Sequence, residues 1–287
     1  MFYRTEITSL HPIWNRFYRW SSVNNSIDLI KEFLLKNLKA CFFPFVIFSA
    51  LALSRLVIPS YLPRYDVLFI VCLFTQWWMI KKGIESIDEL KVITLFHLMG
   101  LAMEIFKVNQ GSWSYPETAF LKIAEVPIYS GFMYASVASY LCQSWRRFEI
   151  KLIQMPSPTL SLTLAASIYF NFFTHHFIFD FRWILFGLFF VIFRNTKVIF
   201  FLGSKPCKLS LTVTMALCGL LIWGAENLAT YLGAWKYAYQ HAGWKMVSLQ
   251  KVNAWMLMSI VSFILVAQLK HVKSQMTFSK NLQSTWA

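Results

Sequence analysis

Hydrophobic positions in this chain come in long unbroken runs, separated by short stretches that carry charges, prolines and glycines. A helix needs about 20 apolar residues to cross a hydrocarbon core of roughly 30 Å. Eight runs approach that length: residues 39–57, 66–82, 86–106, 127–145, 158–179, 182–201, 208–229 and 246–269. The sixth is the least regular, because Arg194, Asn195 and Lys197 interrupt it. Its helix is expected to stop near Phe193, leaving VIFFLGSKPC as an interfacial segment. The pattern predicts an all-α polytopic membrane bundle of about eight transmembrane helices. The expected organisation is an N-terminal arm (1–38), a first four-helix unit (39–145), a basic linker (146–157), a second four-helix unit (158–270) and a tail (271–287).

Composition agrees with a membrane protein. Of 287 residues, 57% are hydrophobic and 14% charged, and the mean hydropathy is +0.51. A soluble domain rarely carries so few charges. The net charge of +14 would suggest nucleic acid in a soluble chain. Here it fits loops that face anionic lipid, so the expected partner is the bilayer and not nucleic acid. With both termini inside, 19 of the 27 Lys and Arg fall in cytoplasmic segments, which favours N-in, C-in. The first thirty residues lack a continuous apolar run, so no cleavable signal is expected. Their Trp14, Phe17, Tyr18 and Trp20, interleaved with Arg16 and Arg19, suit an arm lying on the membrane surface or a cytoplasmic tail. The five cysteines have no CxxC spacing and read as packing residues.

An internal repeat reorganises this picture. Glu104 and Glu226 are 122 residues apart, and the same shift superposes Gly111 on Gly233, Trp113 on Trp235 and Tyr115 on Tyr237. A shift of 123 then aligns FMYASVASY (132–140) with WMLMSIVSF (255–263). Four helices per unit is an even number, so the two halves share one orientation. That is the parallel-repeat arrangement, with a pseudo-twofold axis along the membrane normal. Both Glu…Gly-x-Trp-x-Tyr words then meet at the outer face.

The candidate chemistry lies at that meeting. Glu104 and Glu226 sit about one turn inside their helix ends, where an ionised group is costly and faces a protein interior or a water-filled cavity. Two readings stand side by side: acids in a ligand site, or acceptors that fasten the following loops. Trp113, Tyr115, Trp235, Tyr237 and Asn227 are the matching ligand-contact candidates, although Trp and Tyr also populate the headgroup level for purely interfacial reasons. His97 lies seven residues before Glu104 on the same helix face, with Glu89 near the same stripe. A proton relay or a packed histidine both suit that arrangement. His175, His176 and Asp180 lie near the outer end of the fifth run. His176 and Asp180, spaced i, i+4, are the weak metal candidates. There is no HExxH, P-loop, GxGxxG or GxSxG, so no particular cofactor is indicated.

The words ELKVITLFHLMGLAMEIFKV, GSWSYPE, VPIYSGFMYASVASYLCQSWRR, NFFTHHF and WGAENLATYLGAW resemble the YoaT-like bacterial integral membrane proteins, a family classed as a domain of unknown function. The resemblance runs from about Arg64 to Lys270. It implies a bacterial plasma-membrane location and a multi-helix fold, and it brings no activity. A looser similarity is to membrane carotenoid cyclases and hydratases, small aromatic-rich helical proteins. By that analogy Glu104 and Glu226 would protonate an isoprenoid double bond, with Trp113 and Trp235 stabilising the carbocation. The sequence thus offers three functions: a binder or converter of an apolar isoprenoid-like lipid between the repeats, a small proton-coupled transporter or channel, and a scaffold without ligand.

Overall fold

The computed structural model describes residues 26–59 and 61–285, with side chains to residue 270. The aromatic and basic positions noted between Trp14 and Trp20 lie outside the described residues. Along the chain come α1 (Ser26–Ala40), α2 (Phe42–Val57), α3 (Arg64–Lys81), α4 (Ile87–Asn109), β1 (Trp113–Ser114), β2 (Lys122–Ile123), β3 (Val126–Pro127) and α5 (Ser130–Arg147). They are followed by β4 (Lys151–Ile153), α6 (Pro158–Thr174), α7 (Arg182–Phe193), β5 (Lys197–Leu202), β6 (Lys205–Ser210), α8 (Leu211–Tyr231), β7 (Lys236–Tyr237) and α9 (Lys251–Thr285).

A helix, α2 to α9, stands at each of the eight apolar runs, and the chain is mostly helical. Length and apolarity alone qualify three described helices to cross a membrane: α4, α8 and residues Lys251–Lys270 of α9. α1 and α2 qualify together as a pair bent by 67°. α7 ends at Phe193, where Arg194 and Lys197 interrupt the apolar run. VIFFLGSKPC forms a β-hairpin, β5–β6, which β4 extends to three antiparallel strands. Residues 26–38 of the expected arm lie in α1, and residues 271–285 of the expected tail continue α9.

Helices α2 to α9 alternate between two ends of the bundle. At one end, called the sheet end, lie β4–β5–β6 and α1. The helix reaches the sheet through Lys36 Nζ, which donates to the Phe201 carbonyl at 2.8 Å, and through Glu32, which accepts from the Gly203 amide at 2.8 Å. At the other, the ribbon end, α4 and α8 terminate and β1 pairs with β7. The interior divides into two clusters. One is built around Phe43, Leu51, Tyr65, Met79, Ile93 and Tyr129, the other around Ile168, Phe189, Phe193, Met215 and Ile260. The clusters exchange members where they touch. Trp235 and Tyr237 belong to the first, Met103 and Tyr134 to the second. α5 carries buried Ser130, Ser136, Ser139, Gln143 and Ser144, a small and polar face that lets neighbouring helices approach closely.

Candidate functional site

The ribbon end is shaped by how α4 and α8 stop. A helix leaves its last carbonyls without partners, and a residue in the left-handed conformation lets the chain fold back to satisfy them. Gly111 (φ +69°) and Gly233 (φ +73°) supply that residue, at a φ that costs glycine little. In the first helix the Ser112 amide donates to the Lys107 carbonyl at 3.0 Å and the Gly111 amide to Val108 at 2.9 Å. In the second, Ala234 donates to Ala229 at 2.9 Å and Gly233 to Thr230 at 3.1 Å. The two helix ends therefore carry the same Schellman turn. Remaining carbonyls of α8 are taken by arginines from the other half of the chain. Arg64 donates to Leu232 at 3.2 Å and to Gly233 at 2.8 Å, and Arg55 donates to Tyr231 at 3.1 Å.

These turns aim the two words at each other. β1 and β7 are antiparallel, with Trp113 opposite Tyr237 and Ser114 opposite Lys236. Ser114 and Lys236, related by the 122-residue shift, thus pair with each other, and Trp113 pairs with the counterpart of Tyr115, a register that a twofold rotation would leave unchanged. The indole of Trp113 meets the Tyr237 ring edge-on at 5.9 Å.

Both glutamates lie directly beneath, at 4% and 3% exposure. Glu104 Oε2 accepts from Trp113 Nε1 at 2.6 Å and from Tyr115 at 2.8 Å, while Oε1 accepts from Tyr134 at 2.6 Å. Glu226 Oε1 accepts from the Tyr237 hydroxyl, and Oε2 accepts from Trp255 Nε1 at 2.7 Å. Each carboxyl group has both oxygens engaged by indole and phenol donors, as a buried acceptor requires.

Of the residues expected at this site, Glu104, Glu226, Trp113, Tyr115 and Tyr237 do come together. Trp235 does not take the part of Trp113. It is buried in the core, and the indole that reaches Glu226 is that of Trp255, on α9. Asn227 fastens a loop: its Oδ1 accepts from the Val247 amide at 2.8 Å and its Nδ2 donates to Trp223 at 2.9 Å. Tyr134 and Trp255 were not singled out in the sequence. The signal for them was present, since each follows its glutamate by about thirty residues inside the second repeated word.

His97 stands apart from both glutamates of its helix. Seven residues along a helix is about 10 Å, and the ring rests on Phe132 at 4.5 Å between centroids. Its Nδ1 is buried without a hydrogen-bond partner. α5 presses against it at Gly131, where an added Cβ would fall 2.7 Å from the His97 carbonyl oxygen. At the corresponding Gly219 of α8, an added Cβ would fall 2.9 Å from the backbone of Met256. The α4–α5 contact carries glycines on both helices, Gly131 against His97 and Gly100 against Tyr134, whereas at the α8–α9 contact Gly219 lies on α8. Glu89 belongs to the sheet end. It closes a capping box with Ser86 and forms ion pairs with Lys270 at 2.6 Å and Arg146 at 3.2 Å.

The expected metal pair is not assembled. α6 ends at Thr174, so His176 and Asp180 are past the helix and the i, i+4 relation does not hold. His176 Nε2 faces Lys107 Nζ at 2.8 Å, and Asp180 accepts from Asn171 at 3.1 Å and pairs with Arg182 at 3.2 Å. Among the described residues, no three His, Cys, Asp or Glu side chains are grouped to hold a metal ion.

Above the glutamates, a cavity of about 310 Å³ opens at the ribbon. It is lined by Trp113, Ser114, Tyr115, Ala238 and His241 together with Val108, Gly111 and Glu125. Trp113 and Tyr115 therefore belong to both features, since both line the cavity and their polar atoms hold Glu104.

The sequence that builds this arrangement is similar to other chains. A family described as "Protein of unknown function (DUF817)" matches residues 29–263, which contain both glutamates and both repeated words. The "Uncharacterized protein YoaT" of Bacillus subtilis (strain 168) is 52% identical over 250 residues, covering 87% of this chain and 95% of that relative. No solved structure matches the chain. By the extent of both matches, the chain belongs to the DUF817 family.

Proposed function

We propose that this is a multi-pass protein of the bacterial plasma membrane that binds an apolar, isoprenoid-like lipid at the ribbon end, between two parallel four-helix repeats. In this reading α2–α5 and α6–α9 each cross four times. The sheet end faces the cytoplasm and the ribbon end faces outward. The alternation of helices between the two ends supports it, as does the concentration of Lys and Arg in sheet-end segments. The twofold register of β1 and β7 supports the repeat.

The observation that carries the ligand reading is the double use of Trp113 and Tyr115. A cavity of about 310 Å³ is in the range of small-molecule sites, roughly 300–1,000 Å³. Its lining combines Trp113 and Tyr115 with the apolar Val108 and Ala238, and Ser114, His241 and Glu125 are its polar members. Binding is favoured over chemical conversion. An acid that protonates a double bond needs a free face toward its substrate, and both carboxyl groups here are already occupied by indoles and phenols.

The test is native mass spectrometry of wild type, Trp113→Ala and the Glu104→Gln, Glu226→Gln double variant, extracted in mild detergent. A discrete lipid on the wild type that folded Trp113→Ala loses is the expected result. An empty wild type, or equal retention by the variant, would reject binding at this cavity and favour the scaffold reading. One observation keeps transport in view, namely the buried, unpartnered Nδ1 of His97 between the glutamates of α4. That reading predicts a pH-dependent flux in proteoliposomes that His97→Ala abolishes.

A further inference from the structure

Beside the ribbon lie three cationic side chains, of which one, Arg182, has an ion-pair partner among the described residues. Lys107, in the last turn of α4, is 6% exposed. Its Nζ meets two histidine nitrogens, His176 Nε2 at 2.8 Å and His175 Nε2 at 3.2 Å. His175 Nδ1 lies 2.8 Å from the Asn171 carbonyl, which can only accept. The proton of that ring is therefore on Nδ1, and Nε2 is left as an acceptor for the lysine. An ammonium has three N–H donors, and the imidazoles use two. Lys107 has no carboxylate in ion-pair reach among the described residues.

Lys251 and Arg182 complete the group. Lys251 Nζ lies over the rings of Tyr237 at 4.9 Å and Trp113 at 5.4 Å, also with no ion-pair partner among the described residues. Both Lys251 and Arg182 lie within electrostatic reach of Lys107. Arg182 pairs with Asp180 at 3.2 Å, but its buried Nε has no hydrogen-bond partner. Lys251 and Arg182 are also the first residues of α9 and α7, where the helix dipole already places partial positive charge. Arg64, which opens α3 at the same end, gives a contrast, because its guanidinium is engaged by Leu232, Gly233 and Glu117. Among the described residues Asp180 is the carboxylate ion-paired within the group; Glu226 and Glu104 also act on Lys251 through space, with their oxygens already engaged by indoles and phenols. Such a set is stabilised by an anion that accepts several N–H bonds at once.

We propose that Lys107, Lys251 and Arg182, with His175 and His176 orienting Lys107, form a binding site for a phosphate-type oxyanion at the ribbon end. The site goes beyond the lipid-binding proposal and does not depend on what fills the cavity, whose lining includes none of these five residues. The segment between His176 and Arg182 exposes Phe177, Ile178, Phe179 and Phe181, and Trp183 follows, exposed at 71%. Exposed aromatic and aliphatic groups beside a cation cluster suit the depth of lipid phosphates. The oxyanion is either the phosphate of a lipid headgroup or a free phosphate.

The experiment is thermal unfolding of the full chain in two settings. In neutral detergent, the midpoint is followed against inorganic phosphate, with sodium chloride at matched ionic strength as control. In nanodiscs, a zwitterionic bilayer is compared with one containing phosphatidylglycerol. The expected result is a saturable rise in midpoint with one or both phosphate sources that chloride does not reproduce. Lys107→Gln and Lys251→Gln each weaken the half-saturating concentration at least tenfold, and Arg182→Gln does so at a less buried position should the lysine variants fold poorly. A response to free phosphate identifies a soluble ligand, and a response confined to phosphatidylglycerol identifies a headgroup. A wild type that responds to neither source beyond chloride overturns the proposal. So does an affinity within twofold of wild type in the folded variants.

Discussion

Replacing Glu104 with leucine tests whether the carboxylate holds the ribbon end together. Three donors converge on it, from Trp113, Tyr115 and Tyr134, at 2.6, 2.8 and 2.6 Å. Leucine fills most of the volume and removes the acceptor from all three. Each buried donor left without a partner costs about 1–3 kcal/mol. The phenols can rotate toward other acceptors, whereas the Trp113 N–H can only donate. A total loss of about 3–5 kcal/mol follows. Glutamine is the control. Its oxygen can face Trp113 and Tyr115 while its NH2 meets Tyr134, whose hydroxyl can turn to accept. Glu104→Gln is therefore expected to cost no more than about half as much as Glu104→Leu. For a chain of this size, 1 kcal/mol shifts the midpoint by about 2–4 °C, so Glu104→Leu lowers it by roughly 6–20 °C in detergent. Adding Trp113→Phe to Glu104→Leu then costs less than the sum of the two, because the orphaned indole N–H has gone. A Glu104→Leu protein within 1 °C of wild type, or a glutamine variant as unstable as the leucine one, would refute the reasoning.

Three further outcomes follow from the same geometry and are read by thermal unfolding in detergent. Glu226→Leu strands only Tyr237 and Trp255, so it lowers the midpoint by less than Glu104→Leu; the opposite order would contradict the count of donors. Gly111→Ala places a side chain at φ +69° and costs about 1–2 kcal/mol, while Gly233→Ala costs more because its Cβ would fall 2.5 Å from Arg55 Nη2; equal effects would sink the steric part. Glu85 lies between α3 and α4, and burial pushes its carboxyl above the ordinary 4.5, against the hydrogen bonds from Ser139 and Gln76. The folded state thus holds a proton that the unfolded state releases, so Glu85 contributes stability below about pH 4.5 and loses it as pH rises through the raised value. Glu85→Gln is expected to flatten that decline, and a wild-type-to-variant difference constant between about pH 4 and 8 would refute it.

The helices were legible in the sequence because each is a run of apolar residues ended by charge or by glycine. Even the early stop of α7 at Phe193 was written in Arg194 and Lys197. The β5–β6 hairpin was not, because KVIFFL is continuously apolar and reads as more of the same span until its pairing with KPCKLS is known. At the site, the two glutamates and their aromatic words were found through the 122-residue shift. The expectation of exact symmetry then misled the reading at Trp235, since two stretches with matching sequence words need not donate from the same side chain. The metal pair failed for a local reason. The expectation needed helix through Asp180, and the chain leaves helical geometry at Thr174, six residues earlier. Lys107, Lys251 and Arg182 were invisible as a group because they come from three helices, and each taken singly looks like an ordinary flanking charge.

The donors to each glutamate have a consequence for how the protein is made. The farthest donor to Glu104 follows it by 30 residues, and the farthest donor to Glu226 by 29. Each carboxyl group is thus satisfied by chain that leaves the ribosome within seconds of it, and Glu104 has its donors before the second half has been synthesised. A nascent first half need not carry a stranded acid while it waits for the second. Contacts that must wait are the ribbon pairing, the arginines on the end of α8 and the Tyr129 hydroxyl on the Ala234 carbonyl. A gene cut between the codons for residues 146 and 157 would then encode two fragments, each supplying its own glutamate, and their reassembly on co-expression would depend on those late contacts.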